Sequence, residues 1–329
     1  MLHHQRFRRA NRRSASGNPH MRSAVSLSSF LVASAASAAC SRSMVATAQS
    51  LNRSNIVHAT LTMTDLARIS QQGNWQNGLG MRFVAVPKTE ALFCVWLTRV
   101  KDYESYAKAN TDVDDSWKRK TEVYGLPISE GPDHPVYRVS WEDAKGFCRR
   151  LSRREQQANI ISRDLHYRLP TDAEWSTAAG LAEEKGSTPE EKHQNMKAIF
   201  PWGTQWPPPA GAGNFADETL GVQSKTSMQE RPYITGYNDG FATTSPVGSF
   251  PPNQYGLYDL SGNLLEWCED EYSPGGHLPD YLQGARPMRG GAWTSRYPRT
   301  LMSGHRHYEN PKCRYDYYGF RVVLACASS

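Results

Sequence analysis

Residues 56 to 329 predict an irregular α+β fold with short strands, a few helices and long loops, on three observations. Gly80-Met81-Arg82-Phe83-Val84-Ala85-Val86-Pro87 alternates large apolar residues, as a half-buried strand does. Two later segments each pair a helix-start box with an apolar stripe at helical spacing. Residues 201 to 293 are rich in Gly, Pro, Asn and Asp around short aromatic segments, which is loop chemistry and not that of a helical bundle. No internal repeat and no clean break divides this stretch, so it reads as one unit.

Residues 1 to 55 read as a basic leader. Met21-Arg22 offers a second start, an apolar run follows from Ala24 to Ala33, and Ala36-Ser37-Ala38 supplies an A-x-A-like cleavage site. The run is too short, and too rich in Ser and Ala, to span a bilayer. An exported, secreted or periplasmic protein is the expectation. Cys40 after Ser37-Ala38-Ala39 leaves lipid anchoring open, and an Arg-rich, acid-free organellar transit peptide is the rival reading.

The charge follows from this leader. Residues 1 to 64 hold eight arginines and no Asp, Glu or Lys, more than the +6 of the whole chain, so residues 65 to 329 carry a net of −2. A nucleic-acid binder needs its excess on the folded surface, where it displaces counterions. No nucleic-acid partner is therefore expected, and no stretch beyond the leader is a membrane-span candidate. Arg149, Arg150, Arg153 and Arg154 make one local basic cluster, either a solvated helix face or an anionic patch.

After the first strand, Val95-Trp96-Leu97 is a candidate second strand. Thr98 then opens a helix with Val100, Tyr103 and Ala107 on one face. Ser140 and Asp143 form a capping box for a stronger helix, striped by Ala144, Phe147, Cys148 and Leu151. Thr171 and Glu174 repeat the device before Trp175, Ala178, Ala179 and Ala182, and Pro170 suits the extended approach. Six cysteines show neither a CxxC pair nor zinc-ligand spacing, and the sequence chooses no disulfide. Cys148 reads first as a core position.

Six motifs carry a family resemblance. In order they are His134-Pro135-Val136-Tyr137-Arg138-Val139-Ser140-Trp141, Tyr167 through Trp175, Phe200-Pro201-Trp202-Gly203, Tyr255 through Trp267, Arg289-Gly290-Gly291-Ala292-Trp293, and Gly319-Phe320-Arg321. The chain resembles the formylglycine-generating-enzyme, or sulfatase-modifying-factor, family. The resemblance implies a C-type-lectin-like fold with structural calcium. One calcium would take the side chains of Asn214 and Asp239 with the carbonyls of Phe215 and Phe241. A second would take Asp259 and Glu266 with the carbonyls of Gly262 and Leu264. Oxygen donors of this kind suit calcium, though Asp, Asn and Gly at these places also suit plain turns.

In the parent enzyme two cysteines just after the Gly-Gly motif bind copper(I) and oxidise a substrate cysteine. The matching positions here are Ser295 and Thr300, hydroxyls that cannot replace thiolates around a soft metal. Copper and copper-dependent formylglycine formation are therefore not expected. The resemblance also implies a Cys148 bridge to the residue after Gly-Phe-Arg, which here is Val322, with Cys326 a poor geometric substitute. An iron-using branch of the family adds a histidine-bearing helical domain, whereas residues 1 to 79 hold only His3, His4, His20 and His58, in no ligand-like spacing.

Trp293, Tyr297, His305, Arg306, His307, Tyr308 and Tyr315 fall in the segment that forms the substrate groove in relatives. Tyr, His and Arg bring contact area and polar tips to a binding surface. His305 and His307, two apart, could chelate a metal if they lay on a strand. The expected function is a calcium-stabilised, monomeric recognition module for a protein or peptide. An oxidoreductase on the same scaffold is one alternative. A retroelement-diversified variable protein is another, since Thr294, Ser295, Tyr297, Thr300, His305 and His307 are all reachable from an Asn codon by changing adenines.

Overall fold

A computed structural model describes residues 60–65, 74–181, 184–225 and 232–327, within a compact unit spanning Val57–Ser329. The basic leader, its cleavage site and Cys40 lie outside the described residues. Among the described residues no helix is long and apolar enough to cross a membrane.

The main sheet has five strands. β1 (Asn74–Gln76), β2 (Arg82–Ala85) and β3 (Ala91–Cys94) form a meander, and β11 (Val323–Cys326) sits between β3 and β6 (Leu165–Arg168). All these pairings are antiparallel, with Val323 opposite both Phe93 and Arg168. The expected strand at Val95–Leu97 is displaced to β3. Ala91-Leu92-Phe93-Cys94 is buried at every position, so it lacks the alternation that marks a half-buried strand.

Two helices pack beside this sheet. α1 (Val100–Lys108) is capped at Arg99, not at Thr98: the Arg99 amide donates to Asp102 Oδ2 at 3.1 Å. α2 (Trp141–Gln157) starts as the sequence predicts, with Ser140 Oγ accepting from the Asp143 amide at 3.1 Å and Asp143 Oδ2 accepting from the Ser140 amide at 2.8 Å. Its stripe of Ala144, Phe147, Cys148 and Leu151 is buried in the largest core cluster. Cys148, Cys94, Cys268, Cys313 and Cys326 are free thiols.

α3 (Asp172–Ala178) carries the second box, Thr171 with Glu174. Two short helices follow, α4 (Pro189–Asn195) and α5 (Glu218–Gln223). A second sheet takes the order β10 (Tyr318–Gly319), β7 (Leu265–Trp267), β8 (Arg286–Arg289), β9 (His307–Glu309). β10 runs parallel to β7; the other two pairings are antiparallel. The hairpin β4 (Glu122–Val123) and β5 (Leu126–Pro127), the single-turn α6 (Pro298–Leu301) and two 3-10 turns at Asp115–Lys118 and Asp280–Leu282 are the other regular elements of the described residues.

The long loops are fixed by ties between motifs. Trp267 Nε1 donates to the Val139 carbonyl at 3.0 Å, and Trp141 Nε1 to the Cys268 carbonyl at 2.9 Å. Arg289 Nη1 meets Asp172 Oδ1 at 2.5 Å, with its guanidinium 4.5 Å from the Trp175 ring. Gly262, at φ +84°, pairs with Asn214, and a Cβ there would meet the Asn214 carbonyl oxygen at 2.2 Å. Only glycine admits both that dihedral and that approach.

Candidate functional site

A groove of about 210 Å³ lies beside the second sheet. Ser295, Thr300 and Tyr297 form one side, His305 and His307 another, with Leu265, Thr294, Arg296 and Tyr317 completing the lining. The two family cysteine positions thus face one cavity. A Cβ added at Gly291 would sit 3.6 Å from Ser295 Oγ and 3.8 Å from the Thr300 carbonyl, so the Gly-Gly turn holds both segments close. Ser295 Oγ accepts from the Ala292 amide at 3.0 Å, and Thr300 Oγ1 donates to the Tyr297 carbonyl at 2.9 Å. None of the groove's lining residues is a cysteine. Cys313 packs instead against the main core cluster.

The two histidines reach the groove by different routes. His307 opens β9, and its Nε2 lies 2.9 Å from Tyr318 Oη. His305 precedes the strand and sets its ring edge-on to His193, centroids 5.5 Å apart. Burial, then the neighbouring His193 and His307, pull His305 down to about 3, and burial lowers His307 as well. Both imidazoles are therefore neutral at neutral pH, with a ring nitrogen able to accept. Arg296 donates from Nη2 to Tyr124 Oη at 3.2 Å, while its Nη1 is buried with no hydrogen-bond acceptor among the described residues.

Four of the expected residues, Trp293, Arg306, Tyr308 and Tyr315, lie outside the groove lining. Arg306 is 5% exposed and is spent on two acids: Nη2 reaches Glu184 Oε2 at 2.6 Å and Asp172 Oδ2 at 2.9 Å. A guanidinium so placed anchors α3 to the segment before β9 and has nothing left for a ligand. Trp293 is 1% exposed, edge-on to Tyr124, and its Nε1 donates to the Asp316 carbonyl at 3.3 Å. Tyr308 stacks on Tyr272 at 4.0 Å and Tyr315, 44% exposed, stacks on the lining residue Tyr317, whereas Tyr297, 54% exposed, lines the groove.

The expected calcium residues form two unlike clusters. In the first, Asp239 Oδ2 accepts from the Phe215 amide and Oδ1 from the Phe241 amide, both at 2.8 Å. Asp217, which the sequence reading did not single out, joins them: it caps α5 and accepts the Asp239 amide. Burial pushes both carboxyls up, and the Asp217 charge adds to the rise at Asp239. Among the described residues neither acid has a basic ion-pair partner, and Asn214 Oδ1 is buried with no donor. A buried acid, a half-buried one and an orphaned buried amide oxygen are a donor set that fits calcium.

The second cluster is internally neutralised. Glu266 gives both carboxylate oxygens to Arg321, Oε2 to Nε at 3.0 Å and Oε1 to Nη2 at 2.9 Å. Asp259 Oδ2 accepts from the Gly248 amide at 2.8 Å, and Oδ1 from Asn263 Nδ2 at 3.3 Å. A cation beside Glu266 would compete with a guanidinium already in place, so this set does not fit a second calcium.

Fold, interlocked motifs and groove define the class of the protein, and comparison with known proteins agrees. The profile of the sulfatase-modifying factor enzyme 1-like domain matches residues 44–326, and the chain belongs to that family. An inactive C-alpha-formylglycine-generating enzyme 2 from Mus musculus is 33% identical over 174 residues, covering 51% of this chain and 41% of the relative. A formylglycine-generating enzyme from Thermomonospora curvata is 33% identical over 165 residues, 50% of this chain and 42% of the relative. The matches thus span less than half the length of these curated relatives. The solved structure of PvdO from Pseudomonas aeruginosa superposes with a TM-score of 0.51 at 20% identity, covering 77% of this chain and 97% of that one, a likeness of fold.

Proposed function

We propose that this chain is an exported recognition domain that binds a protein or peptide in the Ser295–His307 groove, without copper-dependent formylglycine formation. The observation that carries this reading is the pair Ser295 and Thr300 in the groove wall, hydroxyls where the family chemistry needs two thiolates. Tyr297 offers exposed aromatic area in the groove and Tyr315 extends it by stacking on the lining Tyr317, His305 and His307 offer neutral acceptors, and Arg296 brings a buried, unmatched guanidinium N–H that suits an acceptor oxygen of the ligand. Variation within residues 294 to 307 would change ligand choice while leaving the motif ties intact, as a diversified binder requires.

Calcium has a structural part in this proposal, at Asn214, Asp217 and Asp239 with the carbonyls of Phe215 and Phe241. Its charge would balance the two acids and pin the loops that carry α5.

The test is incubation of the protein with copper(I), oxygen and a peptide containing Cys-x-Pro-x-Arg, followed by mass spectrometry of the peptide and a parallel binding titration. Peptide or another ligand bound without conversion of its cysteine supports the proposal. Conversion to formylglycine overturns it. A second reading, an oxidoreductase with altered chemistry, draws on the two neutral imidazoles in the groove. It predicts a redox metal or cofactor copurifying in stoichiometric amount, measured by elemental analysis and absorbance.

A further inference from the structure

Beside the Phe147 and Leu151 end of the α2 core stripe lies a larger cavity, of about 460 Å³, between α1 and the C-terminal half of α2. Its floor is apolar: Leu79, Tyr106, Phe147 and Leu151. Its rim carries Arg150, Arg153 and Arg154, and among the described residues no Asp or Glu lines it. Arg153 also lines two adjoining cavities, one shared with Arg149 and one with Arg163, so the basic rim continues along the helix. The volume lies in the range of small-molecule sites.

The charges on this rim are unbalanced. Arg150 is held by Asp112, with Nη2 at 2.7 and 2.6 Å from its two oxygens, and it also donates to Asn110. Arg149, Arg153, Arg154 and Arg163 make no ion pair among the described residues. Arg149 with Arg153, and Arg150 with Arg154, are like charges at i,i+4, a spacing that destabilises a helix. The helix's own acid, Glu155, points inward and accepts from Tyr167 Oη at 2.5 Å and the Gly78 amide at 2.9 Å. Asp143, at the other end of the helix, is committed to Arg314 at 2.8 Å, and Glu142 lines only the cavity next to Arg149. Favourable charge against the α2 C-terminal dipole explains a basic residue there. It does not explain three arginines converging on one apolar-floored cavity, in a chain whose residues 65 to 329 are net acidic. Tyr106 Oη stands at the wall between the two larger cavities, where a Cβ at Gly146 would come within 3.0 Å of it, and it is a further donor.

We infer that this cleft binds a small amphiphilic anion, an acyl or aryl chain ending in a carboxylate or phosphate, with the chain on the apolar floor and the head group between Arg153 and Arg154. An apolar floor alone would take any hydrophobic molecule. The acid-free arginine rim selects the charged end.

The full chain is titrated by calorimetry with decanoate, decyl phosphate and, as the uncharged control, decanol, and again as the double variant Arg153→Glu/Arg154→Glu. Both side chains are exposed, so the variant keeps the fold, which its melting curve verifies. Saturable binding of either anion at one site, at least tenfold tighter than decanol and weakened about tenfold or more in the variant, is the expected result. Tyr297→Ala, in the other groove, is expected to leave that binding unchanged. No saturable binding of either anion, equal binding of decanol, or an unaffected double variant would overturn the inference. Loss of binding in Tyr297→Ala would move the site to the Ser295–His307 groove.

Discussion

Arg321 and Glu266 form a two-point ion pair with both side chains at 0% exposure. The remaining guanidinium nitrogen Nη1 donates to the Cys94 carbonyl at 2.9 Å, and Nη2 also donates to the Tyr258 carbonyl at 2.6 Å. The pair therefore binds the end of β10 to β7, to β3 and to the loop before β7. Breaking one partner of such a pair strands a charge in the interior, at a cost of about 3–5 kcal/mol. Arg321→Met alone is expected to lower stability by that amount in urea denaturation. Combined with Glu266→Gln it should cost clearly less than the single change. Equal losses would mean that the carbonyl contacts, and not the charge pair, carry the effect.

A pH dependence follows from Asp172. Burial opposes its ionisation, but Arg289 and Arg306 outweigh burial and hold the carboxyl down at about 2. The folded value lies below the unfolded one of about 3.9, so the stabilisation is complete above that value and is lost as pH falls towards 2. It amounts to about 2 kcal/mol. Stability measured from pH 5 to pH 2 should fall more steeply in the parent than in Asp172→Asn, which starts lower. Parallel curves would refute the assignment.

Calcium should raise the melting temperature at neutral pH. At a hundredfold excess over Kd, about 2.7 kcal/mol of linkage corresponds to a shift on the order of 5–10 °C for a domain of this size. Asp239→Asn should abolish most of the shift, whereas Glu266→Gln, in the cluster already neutralised by Arg321, should leave it in place. Melting curves with calcium and with a chelator decide this. A calcium-insensitive parent would leave Asp217 and Asp239 simply as loop-capping acids.

The groove offers a gain-of-function test. Because Ser295 and Thr300 line one cavity behind the Gly290-Gly291 turn, the double variant Ser295→Cys/Thr300→Cys should bind copper(I) tightly, read by competition with a chromophoric chelator, and the parent should not. Copper retained by the parent at one equivalent would show that another ligand set serves the site.

Some of this was legible in the sequence because it is local. Ser140 with Asp143 and Thr171 with Glu174 lie within one turn of each other, so their pattern is the interaction itself. Tyr297, His305 and His307, which line the groove, were singled out because the family resemblance placed the segment between two motifs at the substrate groove of relatives. Arg306 and Trp293 were misread for the opposite reason: what occupies Arg306 is Asp172, 134 residues earlier, and Glu184. No spacing rule reveals a partner that the fold alone brings near. Asp217, which caps α5, was not singled out, because nothing in its local spacing ties it to Asp239. The displaced β3 shows the limit of periodicity, since a strand covered on both faces has no alternation to read.

The placement of β11 sets an order of events for a chain emerging from the ribosome. β3, already paired with β2, and β6 are made early, and the tie that closes the fold spans the 227 residues from Cys94 to Arg321, yet the place between them stays empty until Val323–Cys326 is synthesised and slots in. Until then each presents an unpaired, apolar edge, the kind of surface on which nascent chains associate wrongly. Closure of this sheet is thus timed by β11, and loss of that strand would leave the β1–β3 meander and a lone β6 in place of a weakened whole sheet.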